Sequence, residues 1–159
     1  FSILSLPIDF TGLLWKNALM DKSREIISAD EIEERLSPVF KDKGLKLVLV
    51  FGSVVTGKAH KRSDIDLAFF FDNRVDIMDL TNKVIRLLRT DNIDVVDLSR
   101  ASPLLRFSAA KNCKVLYERS PGIFSEFYSL SFRRYIDTKK LRDAGRVVIR
   151  DFLHARGLA

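Results

Sequence analysis

Three aspartates and a glycine–serine pair are the residues whose types and spacing could do chemistry. Asp64 and Asp66 flank Ile65 at the start of an apolar run. Because side chains of a strand alternate between its two faces, both carboxylates project from the same face. Two carboxylates ~5 Å apart repel by roughly 3 kcal/mol at an effective dielectric of about 20. Such a pair shares a proton or holds a cation, and all-oxygen ligands select Mg²⁺ or Mn²⁺.

The pair Gly52-Ser53 follows another apolar run and supplies phosphate-binding chemistry. Glycine permits the close approach and the dihedral angles that let backbone amides surround a phosphate, and the Ser53 hydroxyl adds a donor. A helix starting there would add a favourable partial charge. We include Ser63, directly before the acidic pair, among the predicted nucleotide-binding residues. Phosphate donors beside paired carboxylates predict a nucleoside triphosphate site.

A third carboxylate is expected, because two-metal phosphoryl transfer needs a base or bridging ligand at the attacking oxygen. The predicted strand over residues 93–98 offers Asp94 and Asp97 on opposite faces, so only one of them can reach the site. We choose Asp94 and expect Asp97 to cap the following turn. The predicted catalytic residues and metal ligands are therefore Asp64, Asp66 and Asp94.

The elements that must position these residues alternate between strands and helices, which predicts an α/β (α+β) fold with a small mixed sheet of about four strands. A capping box at Ser28 opens a helix that Pro38 kinks or restarts and that Gly44 stops. Ser102-Pro103 and Ser120-Pro121 each open a later element by the same capping logic, and the last element carries an aromatic stripe. The predicted strands span residues 45–51, 64–71, 93–98 and 113–117, with a further helix over 76–89.

Composition restricts the class of protein without choosing a function. The 159 residues favour one domain, and 27 basic against 21 acidic residues give a formal charge of +6, which attracts polyanions or an acidic protein. The single cysteine, Cys113, excludes an internal disulfide and a cysteine-based zinc site. Two histidines argue against a histidine-rich metal centre.

The N-terminal segment is apolar, but it is shorter than the ~20 residues of a membrane span and has no basic leader typical of a signal peptide. We therefore expect a cytoplasmic protein that does not engage a membrane. The chain does not begin with Met, and a polar stretch follows Met20. We expect residues 1–19 to be a non-native or upstream extension and residues 20–159 to be a single domain with a C-terminal helical segment; the alternative is an apolar arm that docks on a partner.

Gly52-Ser53, a ten-residue spacer, Asp64-x-Asp66 and a later Asp94 together resemble the signature of the nucleotidyltransferase superfamily. The segments 63–67 and 93–107 resemble the minimal nucleotidyltransferases, and more narrowly the MntA antitoxins. The resemblance implies the polymerase-beta-like fold and an enzyme that transfers AMP from ATP, with Mg²⁺, to a tyrosine of a HEPN-domain ribonuclease toxin, HepT. It implies that Asp64, Asp66 and Asp94 hold the metal, and that Asp94 helps to deprotonate the acceptor hydroxyl.

One position departs from that pattern, because Val54 stands where the family often has arginine. Positive charge near the leaving phosphates would then come from the spacer, where Lys58, Lys61 and Arg62 are candidates. Two rival functions remain: nucleotide transfer to a small molecule or an RNA end, and a binding module that neutralises its partner by contact alone. Nucleic acid is a possible partner but not the favoured one.

Overall fold

The computed structural model describes residues 27–57 and 63–158. The predictions for residues 1–19, and for Lys58, His60, Lys61 and Arg62 in the spacer, lie outside the described residues. Within them the chain forms six helices and four strands. In chain order these are α1 Ala29–Leu36, β1 Leu45–Phe51, α2 Ser53–Thr56, β2 Ile65–Phe71, α3 Ile77–Leu88, β3 Ile93–Asp97, α4 Pro103–Lys111, β4 Cys113–Glu118, α5 Ile123–Asp137 and α6 Lys139–Ala155.

The four strands form one mixed sheet, as predicted, and their order in it is β3-β2-β1-β4. β1 pairs antiparallel with both β2 and β4, whereas β2 and β3 are parallel. A parallel pair needs a crossover connection, and α3 supplies it. The parallel pair is what brings the starts of β2 and β3 to the same end of the sheet.

A hydrophobic core lies on each face of the sheet. The first core packs α1 and α3 against the sheet, and Ile65, Leu67 and Phe69 of β2 point into it. The second core packs α4 and α5 against the other face, where Ala68 and Phe70 of β2 point. The alternation along β2 therefore assigns Asp66 to the face of the second core.

Local capping signals locate most helix starts. The Ser28 hydroxyl accepts the Glu31 N–H at 3.2 Å, and Ser102 does the same for Leu105 at 3.2 Å. The prediction that the first helix runs past Pro38 to Gly44 was wrong, because α1 ends at Leu36 and the chain continues as turns. A proline cannot donate the amide that would extend the helix, so the turn before it becomes the end.

The prediction that Ser120-Pro121 caps the last element was also wrong. α5 begins at Ile123 after Gly122, whose φ is +98°, and the Glu118 carboxylate accepts the Phe124 N–H at 2.8 Å in place of a local cap. The element is two helices with a break at Thr138. Of the aromatic stripe, Phe127 is buried in the second core and Phe124 packs against that core, whereas Phe132 is 45% exposed and contacts the Phe107 ring.

None of the helices in the described part of the chain has the length and apolar content to cross a membrane.

Candidate active site

Asp66 is the central residue of the site. In the sheet it lies beside Asp94 of the parallel neighbour β3 and beside Phe51 of the antiparallel neighbour β1. Asp64 immediately precedes β2 and is exposed, and Asp94 is exposed as well. The three predicted aspartates thus meet at one end of the sheet, where β2 and β3 begin and β1 ends.

Of the two aspartates on β3, Asp94 is the one on the face of Asp66. Val95 packs toward the first core and Val96 toward the second, so alternation assigns Asp94 to the second face and Asp97 to the first. Asp97 is engaged locally, because its carboxylate accepts the Ser99 N–H at 2.9 Å and the Ser99 hydroxyl at 2.6 Å. This hydrogen bonding is the turn cap expected of Asp97.

The turn after β1 brings Gly52 directly against Asp66. A Cβ atom at position 52 would lie 2.0 Å from Asp66 Oδ2, far inside contact distance. Gly52 also has φ +72°, a conformation that L side chains rarely adopt. Both the backbone angle and the neighbouring carboxylate therefore require glycine at this position. The contact between Gly52 and Asp66 brings the glycine–serine pair and the aspartate pair together.

Among the described residues, the site carries an excess of negative charge. Burial, then the charges of Asp94 and Asp64, raise the pKa of Asp66 above its usual value. None of the three carboxylates forms an ion pair with a Lys or Arg among the described residues. A half-buried carboxylate with two acidic neighbours favours whatever cation can reach it.

The donor set fits a hard divalent ion, since it consists of carboxylate oxygens. Within residues 27–57 and 63–158, however, no three His, Cys, Asp or Glu side chains are gathered closely enough to form a ready cage for a metal ion. The three carboxylates nevertheless form one region of negative charge that would attract a divalent cation.

The predicted phosphate-binding residues surround the same end of β1. Gly52 is the N-cap of α2, and the first amides of a helix have no intrahelical acceptor. Ser53 begins α2 and is half-buried, as is Ser63 directly before Asp64. Val54 packs against the first core together with Val55. The valine at the family's arginine position thus anchors α2.

The sequence analysis did not predict which residues lie beside Asp66 on the other strands of the sheet, and these residues are apolar. Phe51 follows Asp66, and Cys113 of β4 follows Phe51, both packed against the second core. Burial raises the pKa of Cys113 to about 11, and its thiol donates to the Ala110 carbonyl at 3.4 Å. Cys113 is therefore a neutral core side chain and not a nucleophile. The signal available in the sequence was the alternation along β1 and β4.

Known proteins resemble this chain in sequence and in fold. Protein adenylyltransferase MntA of Aphanizomenon flos-aquae (strain 2012/KM1/D3) is 27% identical over 152 residues, covering 88% of this chain and 100% of the relative. The crystal structure of a toxin–antitoxin with AMP-PNP superposes with a TM-score of 0.65 at 26% identity, over 76% of this chain and 98% of the other. A mutant MntA–HepT toxin–antitoxin structure gives 0.63 at 27% identity, over 78% and 96%.

The match to a family is direct. Residues 34–122, more than half of the chain, match the family model described as polymerase beta, nucleotidyltransferase. That segment contains the Gly52 turn, both aspartates of β2 and Asp94. The chain belongs to the polymerase beta nucleotidyltransferase family.

Proposed function

We propose that this chain is a divalent-metal-dependent protein adenylyltransferase that acts as an antitoxin, transferring AMP from ATP to a tyrosine hydroxyl of a HEPN ribonuclease toxin. The observation that carries the proposal is the meeting of Asp64, Asp66 and Asp94 against the Gly52 turn. The printed names of the relatives, a protein adenylyltransferase and toxin–antitoxin complexes, support the choice of acceptor. A reaction that consumes ATP is expected in the cytoplasm.

Each residue has a role in the proposed reaction. Asp64, Asp66 and Asp94 would hold Mg²⁺ or Mn²⁺, which neutralises charge on the triphosphate when bound. Backbone amides at Gly52 and Ser53, with the hydroxyls of Ser53 and Ser63, bind phosphate oxygens. This catalysis is positioning and charge neutralisation.

The proposed AMP transfer moves one proton and exchanges one bond at the α-phosphorus of ATP. Asp94 accepts the proton of the tyrosine hydroxyl, and the tyrosine oxygen forms a bond to the α-phosphorus of ATP. The bond from the α-phosphorus to the bridging oxygen of the β-phosphate breaks, and pyrophosphate leaves. The products are an O-adenylylated tyrosine and pyrophosphate.

The C-terminal part of the chain supports a macromolecular acceptor. After β4 the described chain contributes only α5 and α6, and α6 has no buried residue. A helix that buries none of its residues encloses no small acceptor but can contact the surface of a protein. A protein acceptor brings its own surface to the site.

The experiment compares Asp94→Asn with Asp97→Asn, two isosteric changes on the same strand and on opposite faces. Each purified protein is incubated with ATP, Mg²⁺ and the product of the neighbouring gene, and the intact mass of that product is measured. We expect the unchanged protein to add AMP units to its partner. In Asp94→Asn the rate of AMP transfer should fall by more than about 100-fold, whereas Asp97→Asn should keep the rate of the unchanged protein. Asp66→Asn serves as a second inactive variant.

Three results would overturn the proposal. Equal loss in both β3 variants, with unchanged melting temperatures, would mean that Asp94 has no special role. A stable complex without any gain of mass would indicate a binding module that neutralises by contact. If the experiment gives no complex and no gain of mass, the acceptor would be a small molecule or an RNA end.

A further inference from the structure

The last helix, α6, has an apolar stripe that the described chain leaves largely exposed, although the Arg156 guanidinium lies 4.5 Å from the centroid of its Phe152 ring. Leu141, Val148 and Phe152 lie at positions i, i+7 and i+11, so they share one side of the helix. They are 76%, 68% and 52% exposed. A helix draws most of its stability from packing an apolar face, and α6, which is described in full, buries none of its residues. An uncovered stripe of this kind marks an interaction surface.

α6 is attached to the rest of the fold through its polar side. Arg142 donates to the Tyr135 carbonyl at 2.7 Å, and its guanidinium lies 4.0 Å from the centroid of the Tyr135 ring. On a helix, Arg142 lies about 100° from Leu141, so this attachment leaves the stripe free. α6 is therefore attached to the fold near its start, and its apolar stripe faces away from that attachment.

The charge around the stripe decides which occupant it suits. Of the five basic and two acidic residues of α6, Lys140 and Arg142 lie about 100° from Leu141, one on each side of the stripe, and Asp151 lies about 80° from it. The others, Lys139, Asp143, Arg146 and Arg150, lie on the opposite face of the helix. Both aspartates are already paired, Asp143 with Lys139 and Arg146, and Asp151 with Arg150. A second copy of α6 would bring positive charge against positive charge, which disfavours self-association. A partner with carboxylates around an apolar groove is complementary in both respects.

We propose that the stripe of Leu141, Val148 and Phe152 is the docking surface for the protein acceptor, whose apolar groove is bordered by Asp and Glu side chains. This inference rests on the proposed function, because an enzyme that modifies a protein needs a surface outside its reacting groups to hold that protein. α6 follows directly from α5, which packs on the sheet face from which Asp66 and Asp94 project. An amphipathic helix seated in an acidic groove is a known mode of protein recognition.

The chain offers a closely matched pair of variants. Val148→Ser alters the stripe, whereas Val147→Ser alters a neighbouring exposed valine that lies about 100° away around the helix. Both changes are at exposed positions, so both proteins should fold, which circular dichroism and melting temperature verify. Binding of the neighbouring-gene product is measured by surface plasmon resonance at two salt concentrations, which gives both the affinity and the association rate.

We expect Val148→Ser, alone or with Phe152→Ser, to weaken binding by at least about tenfold and Val147→Ser to leave it within about twofold. The association rate of the unchanged protein should fall with salt, and Lys140→Glu should reduce it further. Equal affinity in the Val147 and Val148 variants would overturn the proposal. So would a wild-type chain that is dimeric alone and becomes monomeric on Val148→Ser, because the occupant would then be a second copy.

The failure of docking and the failure of the proposed function remain distinguishable. Binding that depends on Val148, without AMP transfer, would retain the docking surface and remove the adenylyltransferase. Unimpaired AMP transfer by the Val148→Ser and Phe152→Ser double variant at limiting partner concentration would remove the docking surface and retain the enzyme. Protection of α6 from hydrogen exchange in the isolated monomer that disappears when residues 1–20 are removed would also overturn the proposal, because that segment would be the occupant.

Discussion

The two faces of the sheet are built differently. The first core is formed by apolar side chains of α1, α3 and all four strands, among them Val48, Leu67 and Phe69, each with no exposed surface. The second core carries charge at both of its ends, with Asp66 and Asp94 at one and Arg106 at the other. The difference teaches that one face supplies stability while the other tolerates groups that oppose folding.

Arg106 shows how far that tolerance extends. It is 6% exposed, and its Nε has no hydrogen-bond partner, a condition that it shares within the described chain with the fully buried Ser131 hydroxyl. Its guanidinium lies 4.9 Å from the centroid of the Phe127 ring and 5.7 Å from that of Phe70. Burial, and then the charge of Arg134, lower the pKa of Arg106.

The sharpest test of the difference between the faces uses two adjacent phenylalanines of β2. Phe69→Ala removes a ring with no exposed surface from the first core and should cost about 3–5 kcal/mol of unfolding free energy. Phe70→Ala removes a half-buried ring from the second face and should cost less, because part of that ring is already in water. Urea denaturation measures both values. Equal costs would show that the two faces contribute alike.

Gly52→Ala tests whether the site depends on backbone conformation. The new Cβ would lie 2.0 Å from Asp66 Oδ2 at a φ of +72°, so the turn and the carboxylate must both move. We expect a loss of about 1–3 kcal/mol of stability and a loss of activity that exceeds what the stability change explains. Gly57→Ala, at a φ of +69° where a Cβ would meet nothing within 4 Å, is the control for the backbone angle alone. Full activity in Gly52→Ala would contradict the close contact.

Arg106→Met tests the tolerance of the second face. Burying a guanidinium whose Nε has no hydrogen-bond partner costs several kcal/mol, whereas its stacking on aromatic rings returns about 2 kcal/mol. Methionine should therefore be neutral or stabilising by about 1 kcal/mol, and Arg106→Lys should be destabilising because ammonium is more strongly hydrated. Thermal unfolding of the three proteins separates these outcomes. A loss of more than about 2 kcal/mol in Arg106→Met would reveal a compensating partner.

Cys113 gives the smallest effect and tests whether the second face is closed at β4. Burial raises its pKa to about 11, so at pH 8 a smaller fraction of this thiol is ionised than of a thiol with the usual pKa of 9.0. We expect alkylation by iodoacetamide at pH 8 to be about 100-fold slower in the folded than in the unfolded protein, and to accelerate as the pH rises toward 11. Rapid alkylation of the folded protein would show that this end of the face is open to water.

The sequence predicted what depends on local pattern. The bounds of β1, the Ser28 and Ser102 caps, and the opposite faces of Asp94 and Asp97 follow from alternation and capping within a few residues. The fold class and the mixed sheet were predicted as well. The roles of Asp64, Asp66 and Asp94 in catalysis and metal binding stay predictions.

What escaped prediction depends on groups that are distant in sequence. The start of α5 is set by Glu118, which caps from the preceding strand where the local Ser120-Pro121 signal pointed elsewhere. The buried state of Arg106 depends on rings from β2 and α5. The contact between Gly52 and Asp66 arises only when β1 and β2 pair, so no local pattern could report it.

The contact between Gly52 and Asp66 also constrains how this chain can change over generations. Any side chain at position 52 collides with the carboxylate at position 66, so a mutation at the glycine is disfavoured for as long as the aspartate remains. The reverse order is open, because loss of the carboxylate removes the collision and leaves only the cost of the backbone angle. A lineage that abandons catalysis should therefore lose the aspartate first and the glycine afterwards.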